Sequence, residues 1–556
     1  MSAEQEFAVL AGEYLDDLAL RHPDAATGLG DHRYDDRLPD RSKPGLAAER
    51  LALDGFAARL AALDTGTLPP ELRVDAAMLS GSVARRIFEL DELREHTWNP
   101  LLANPGSAIY DLLAREFAPL SGRLASVAGR LARIPENLAE ARAGLGAMPR
   151  VHIETAITQF GGTIKLVTEE VDAALRKAGG SAAVDEARPA ALDALTAHRD
   201  WLVAKLADPG PAGFADPRIG PERFARKLSL TLSAAADPDT ILARAEADLD
   251  RITGQITEVA AGLGGTPREV LARLAADAPV DINRGVEGGS PPLAQAERTI
   301  LRFCADALAA QTGFVRDHDL VTLHDDPIEI IDMPELNRGV AVAYCDSPGP
   351  LETAPLATFI AVSPVPGDWT PERKASFYRE YNRHLVHNLM VHEAMPGHYL
   401  QLGHSRRFSG GTRLRAALRS GSFIEGWAVY AEELMADHGY PGEGDPRSVR
   451  MQQLKMQLRT TINAILDARV HAHGMTEAEA MALMSDRGFQ EEGEAAGKWR
   501  RALLTSAQLS TYYVGYTEVS DLAAELRAAP GQTDRMVHDS MLAHGSPPVR
   551  LLRTLL

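Results

Sequence analysis

Cysteine is nearly absent from this chain. Two of its 556 residues, Cys304 and Cys345, carry thiols, and they form no Cys-x-x-Cys pair. A disulfide framework is excluded, and the expected state is inert thiols in a reducing compartment. Basic charge is also short, with 58 Lys and Arg against 77 Asp and Glu and a net charge of −19. A surface of that sign repels phosphate backbones and no basic block offsets it, so nucleic acid is excluded as a partner. No stretch approaches the roughly 18 consecutive apolar residues of a membrane helix. The start, Met1-Ser2-Ala3-Glu4-Gln5-Glu6, is acidic where a signal peptide is basic and then apolar. The expected location is the cytoplasm, with no membrane partner.

What is present is ordinary for a large soluble protein: 45% hydrophobic and 24% charged residues. Helical patterns dominate. They run over Glu6–Leu20, Leu46–Leu63, Pro70–His96, Ser121–Leu145 and Val151–Ala178. The chain is expected to form one unit over 1–556, with a Pro- and Gly-rich loop from Asp208 to Pro221 as the candidate boundary between two lobes of it, 1–215 and 216–556. Asp237 then caps a helix whose apolar stripe is Leu242, Ala245, Leu249, Ile252, Ile256 and Val259. A loop is expected over Val286–Pro292, and a helix from Leu293 to Asp319. Between about 320 and 363 the pattern changes to short strands at Ile328–Ile331, Val340–Tyr344 and Thr358–Val362, punctuated by Pro and Gly. The fold class is therefore mainly α with one small sheet.

The chemistry concentrates after that sheet. A helix begins with Thr370 as N-cap and Pro371 at its first position. It leads to Val391-His392-Glu393-Ala394-Met395-Pro396-Gly397-His398-Tyr399-Leu400-Gln401. In His-Glu-x-x-His the two imidazoles share a helix face. Here they stand six apart, which on an unbroken helix puts them about 120° from each other. Pro396 removes a backbone donor and Gly397 opens backbone angles closed to other residues. A break at this point is what swings His398 back toward His392. The next helical segment, Phe423-Ile424-Glu425-Gly426-Trp427-Ala428, offers Glu425 as a third ligand. Two histidines and a glutamate leave a fourth position open, as in catalytic zinc sites. Glu393 is then free to act as the base. His384, His387 and His404 read as surface or supporting histidines. The expectation is one zinc ion per chain on His392, His398 and Glu425.

These motifs resemble the bacterial family known as domain of unknown function 885, whose signature is His-Glu-Ala-(Ile/Met)-Pro-Gly-His-(His/Tyr)-Leu-Gln. The resemblance extends over nearly the whole chain. Gly30-Asp31-His32-Arg33-Tyr34-Asp35 is similar to the family's opening signature. Asp467, His471 and Gly474, then Gln508, Tyr512 and Gly515, and finally Gly545-Ser546-Pro547, fall on its later segments. The chain departs from the pattern at Ser506-Ala507 and at Gly474-Met475. The resemblance implies a multi-helical fold like thimet oligopeptidase and neurolysin, with a cleft over the metal, and a metallopeptidase or related amide hydrolase. It also implies that His471 and Tyr512, besides Glu393, are catalytic, as donors to a tetrahedral oxyanion. Asp467 would orient His471, and Tyr430 and Glu432 would support the Glu425 helix. Arg501 is a candidate to meet a substrate carboxylate.

Three functions follow as alternatives: a zinc peptidase acting on short peptides, a zinc amidase or esterase acting on a small molecule, and a non-catalytic metal-binding protein of the same fold. The peptidase is the leading expectation. The partner is a peptide or small amide, and the sequence leaves the oligomeric state open.

Overall fold

The computed structural model describes residues 2–279, 299–334, 342–365 and 369–556. The expected Val286–Pro292 loop, the first residues of the expected Leu293–Asp319 helix, and Val340 and Ala341 of the expected second strand lie outside them. The fold is mainly α with a single three-stranded sheet among the described residues.

The chain divides into two compact units. The first comprises residues 1–219 with two later segments, 348–356 and 409–418. Its boundary at Ile219 falls in the Pro- and Gly-rich loop, but the two later segments carry no boundary signal in the sequence. Physical ties hold them to this unit. Leu351 N–H donates to the Leu29 carbonyl at 2.8 Å, and Glu352 meets His32 at 3.0 Å. Arg415, fully buried, pairs with the equally buried Asp75. Phe7, Leu10, Phe56, Leu79 and Val83 form one core of this unit. The expected Pro70–His96 helix ends earlier, at Phe88, and a wide turn follows to Arg94, whose φ of 51° stops it. The expected Val151–Ala178 helix is likewise interrupted by a widened turn at Leu166–Glu170. A further helix, Ala182–Ala207, has no counterpart among the expected ones.

The second unit holds the sheet and the motif. Asp237 caps the Pro238–Gly262 helix, accepting from Asp239 and Thr240 N–H, and Ala245, Leu249, Ile252 and Ile256 are buried along it. The strands are β1 (Ile328–Asp332), β2 (Ala343–Asp346) and β3 (Thr358–Val362), in the order β1-β3-β2. β1 runs parallel to β3 and β2 antiparallel. β2 is thus an edge strand among the described residues.

A 28-residue helix, Pro446–His473, lies at the centre and is buried nearly all round. Several of its buried polar side chains are paired: Lys455 with Glu380 at 2.7 Å, and Gln457 with Tyr516 at 2.6 Å. Two more helices, Gly421–Asp437 and Ser510–Arg527, cross at Gly426 and Gly515. A Cβ on Gly515 would sit 1.9 Å from the Ser422 carbonyl oxygen, and one on Gly426 would sit 2.3 Å from the Gly515 carbonyl carbon. Only glycine lets these backbones touch. The Gly515→Ala variant should lose about 1–3 kcal/mol of stability through forced separation of the helices. Denaturant melts compared with wild type measure this, and an unchanged midpoint would refute the close approach.

Candidate metal centre

The helix expected to run unbroken from Thr370 is two helices, Pro371–Glu380 and Arg383–Glu393. The chain leaves helical geometry at Tyr381, and Asn382 recaps it by accepting from Leu385 N–H at 3.2 Å. The second helix carries the motif. Its hydrogen-bond ladder ends with Ala394 N–H to the Met390 carbonyl, and Gly397 N–H then reaches back six residues to the Val391 carbonyl at 2.9 Å. The Met395–Pro396 peptide is cis. A new helix starts at His398.

Gly397 makes this turn possible by close approach. A Cβ there would lie 2.0 Å from the His392 carbonyl oxygen and 2.2 Å from that of Val391. Trp427, fully buried, clamps the turn from the Gly421–Asp437 helix by donating its indole N–H to the Pro396 carbonyl at 2.8 Å.

The break brings the two imidazoles together with centroids 4.7 Å apart and rings nearly perpendicular. Glu425 completes the group. Its Oε2 is 3.5 Å from His392 Nε2 and 3.4 Å from His398 Nε2. The three candidate ligand atoms lie within 4.8 Å of one another. Burial would raise the Glu425 carboxyl, but the two imidazoles hold it well below the usual carboxylate range. It is therefore ionised, as a ligand must be.

Supporting groups orient the ligands. Glu432 accepts from His392 Nδ1 at 2.7 Å with one oxygen, and from the Asn388 amide at 2.6 Å with the other. This leaves His392 Nε2 to face the centre. Glu393 is 7% exposed and is not one of the three grouped residues. Its Oε2 accepts the Cys345 N–H on β2 at 2.9 Å. That N–H lies on the outer edge of the strand, because the β2–β3 bonds alternate from the Ser363 N–H to Val342 carbonyl contact. Burial pushes the Glu393 carboxyl up, against the pull of the two imidazoles.

The remaining expected residues divide. Tyr512 lies on the turn before Gly515, near the helix crossing beside Glu425, and the Glu425 charge helps raise its phenol after burial. Its oxygen accepts from Arg501 at 2.9 Å. His471 is a correction. It is 2% exposed, and its Nε2 donates to the Ala502 and Thr505 carbonyls at 3.0 and 2.8 Å. It thereby closes the end of the Glu492–Leu504 helix and has no N–H left at Nε2 for an oxyanion. Asp467 does not orient it. That carboxylate accepts the Ala507 N–H and the Ser510 N–H and hydroxyl. Tyr430 also turns elsewhere, to His538 at 2.8 Å. His387 and His404 bond to Tyr440 and to the Thr322 carbonyl.

Asn388 and the Cys345 N–H were not among the expected residues. Asn388 precedes His392 by four positions and Glu432 follows Glu425 by seven, so helix periodicity could have placed both on the centre's side. Nothing local marks the strand N–H.

A family model described as "Bacterial protein of unknown function (DUF885)" matches residues 23–556. The chain belongs to this family. Two solved structures resemble this DUF885 chain along its length. One, described as a lipoprotein of unknown function from Shewanella oneidensis, has a TM-score of 0.80 at 26% identity and covers 99% of both chains. The other, described as a lipoprotein from Colwellia psychrerythraea, has a TM-score of 0.78 at 17% identity, covering 100% of this chain and 99% of that one. The second likeness is one of fold alone. No curated protein matches the chain. No helix among the described residues is long and apolar enough to cross a membrane.

Removing the Glu432 carboxylate, as Glu432→Ala, should weaken metal retention by about 10–100-fold. Metal content after equilibration against graded chelator reads this, and wild-type retention would show that Glu432 does not support the site.

Proposed function

We propose that this DUF885 protein is a zinc-dependent hydrolase, and specifically a metallopeptidase that cleaves short peptides. One observation carries the reading. The Glu425 Oε2 to Nε2 separations of 3.5 and 3.4 Å match the edge of about 3.4 Å expected of a tetrahedron with ligands roughly 2.0–2.1 Å from its centre. They are too long for good hydrogen bonds, and Glu425 Oε2 is a buried atom without a hydrogen-bond partner among the described residues. Two imidazoles and one carboxylate are the donor set of catalytic rather than structural zinc.

His392, His398 and Glu425 would hold a divalent ion, which would supply Lewis acidity and a usable water nucleophile at neutral pH. The chain's own residues do the rest. Glu393 is anchored through Oε2 on the Cys345 N–H, and its Oε1 takes the proton of the attacking water and passes it to the leaving amine. Burial raises this carboxyl toward the pH at which both transfers are feasible. An extended peptide laid along the outer edge of β2 would run past Glu393. Tyr512 is the remaining donor candidate for the oxyanion. Such a small sheet beside a metal centre on helices is the arrangement we propose the chain shares with thimet oligopeptidase and neurolysin.

Glu393→Gln should keep metal near the wild-type content while peptide hydrolysis falls by about 10²–10⁴-fold. Chelation should abolish wild-type hydrolysis and zinc restore it. Elemental analysis with a peptide-pool assay checks both, and cleavage by the variant at the wild-type rate would remove Glu393 as base.

The two free thiols, Cys304 and Cys345, support the cytoplasm as the proposed compartment. Both structural relatives are described as lipoproteins, so the expected recovery in the soluble fraction of lysed cells is a real test. Recovery with membranes would place this chain with those relatives.

A further inference from the structure

The Glu492–Leu504 helix brings Lys498 and Arg501 onto one side, three residues apart. Lys498 is 6% exposed, and among the described residues its ammonium makes no hydrogen bond and no ion pair. Arg501 donates to two neutral acceptors, Gln508 Oε1 and the Tyr512 oxygen, both at 2.9 Å, and pairs with no carboxylate among the described residues.

The neighbouring carboxylates are already engaged. Glu494, one turn before Lys498, pairs with Arg459. Glu380 holds Lys455 at 2.7 and 2.8 Å. Among the described residues named here, four basic side chains, Lys455, Arg459, Lys498 and Arg501, stand with two carboxylates, in a chain whose net charge is −19. A buried ammonium without a counter-ion is costly, and burial with repulsion from Arg459 and Arg501 pushes Lys498 well below its usual range. A bound anion removes that penalty.

The surplus charge also lies on the side of the metal centre. Arg501 holds the Tyr512 oxygen, and Tyr512 is one turn from Gly515, whose backbone touches Gly426, the residue after Glu425. The charge of Glu425 reaches both Lys498 and Tyr512.

We propose that Lys498 and Arg501 form the subsite for a free carboxylate of the substrate, so that the enzyme acts on short peptides or N-acylated amino acids whose terminal carboxylate lies close to the scissile amide. This rests on the hydrolase reading above. The planar guanidinium and the point charge beside it suit a carboxylate, which every unblocked peptide carries at its C-terminus.

The test uses the zinc-loaded full chain and pairs of short peptides that differ only in ending as carboxylate or carboxamide. The carboxylate member should be favoured by about tenfold or more in kcat/KM. The preference should fall to near parity in Lys498→Met and in Arg501→Gln, with zinc content unchanged, and should largely survive in Lys498→Arg. The wild-type comparison stands even where a variant fails to fold. Equal cleavage of both members overturns the subsite and leaves the hydrolase intact. If neither member is cleaved, the hydrolase reading falls, and calorimetric titration of the same pair decides the subsite. Tighter binding of the carboxylate, lost in Lys498→Met, upholds it, while equal or absent binding overturns it.

Discussion

The centre depends on a backbone contact, the packing of the Gly397 Cα against the carbonyls of Val391 and His392. A Cβ there would lie 2.0 Å from the His392 carbonyl oxygen, so no other residue closes the turn as it stands. That contact decides the direction in which the chain re-enters helix at His398. It thereby converts a spacing that scatters two imidazoles into one that pairs them. The Trp427 bond to the Pro396 carbonyl ties this turn to the helix that supplies Glu425. The three ligands are thus positioned by one local geometry and one tertiary clamp. The glycine contact at the Gly426–Gly515 crossing repeats the device, and it sets how closely the Tyr512 helix approaches the Glu425 helix.

The rigid surroundings follow from the cost of burying polar groups. The Pro446–His473 helix is buried along most of its length, and it carries Gln453, Lys455, Gln457, Asp467 and His471 inside the unit. Each such group constrains a neighbour as the condition of being buried. Asp467 gathers the loop at Ala507 and Ser510, and His471 closes the end of the helix before it. These two residues hold the chain between Lys498 and Tyr512 in place. Their contribution to the site is positional, which accounts for their occupying motif positions without facing the ligands.

Much of this was legible because the chemistry is local. A proline followed by glycine breaks a helix wherever it occurs, so the pairing of His392 with His398 could be reasoned from the motif, and Glu425 from its place in the next helical segment. The caps at Asp237 and Thr370 are likewise local and stand where the sequence puts them. The break at Tyr381–Asn382 was not legible, because Asn382 becomes a cap only when the preceding turn is pulled out of helix, and the hydrophobic spacing of Phe377, Tyr381 and Leu385 runs straight through it. The role of His471 was illegible for a similar reason, since the carbonyls that accept its hydrogen bond arrive from 31 and 34 residues away. The burial of Lys498 without a partner among the described residues has no sequence signature, since a lysine on an amphipathic helix ordinarily points to solvent.

Charge balance links the two halves of the site. Glu393, Glu425 and Glu432 place three carboxylates around two imidazoles, with Glu432 at 3% exposure and Glu393 at 7%. Two neutral imidazoles leave that group strongly negative, and protonating both still leaves an excess carboxylate in a medium that punishes it. Under the proposed reading, a divalent cation on the two imidazoles and Glu425 would correct the imbalance and would let Glu393 stay ionised as a base. The cluster at Lys498 and Arg501 has the opposite imbalance, with cations outnumbering carboxylates. A fold optimised for stability alone would let these opposite excesses pair off. Here they stay apart, the negative group on the motif and Glu425 helices and the positive group on the Glu492–Leu504 helix, with Tyr512 between them. Under the reading proposed here, each excess matches something the chain must bind: the metal on one side and the substrate's carboxylate on the other.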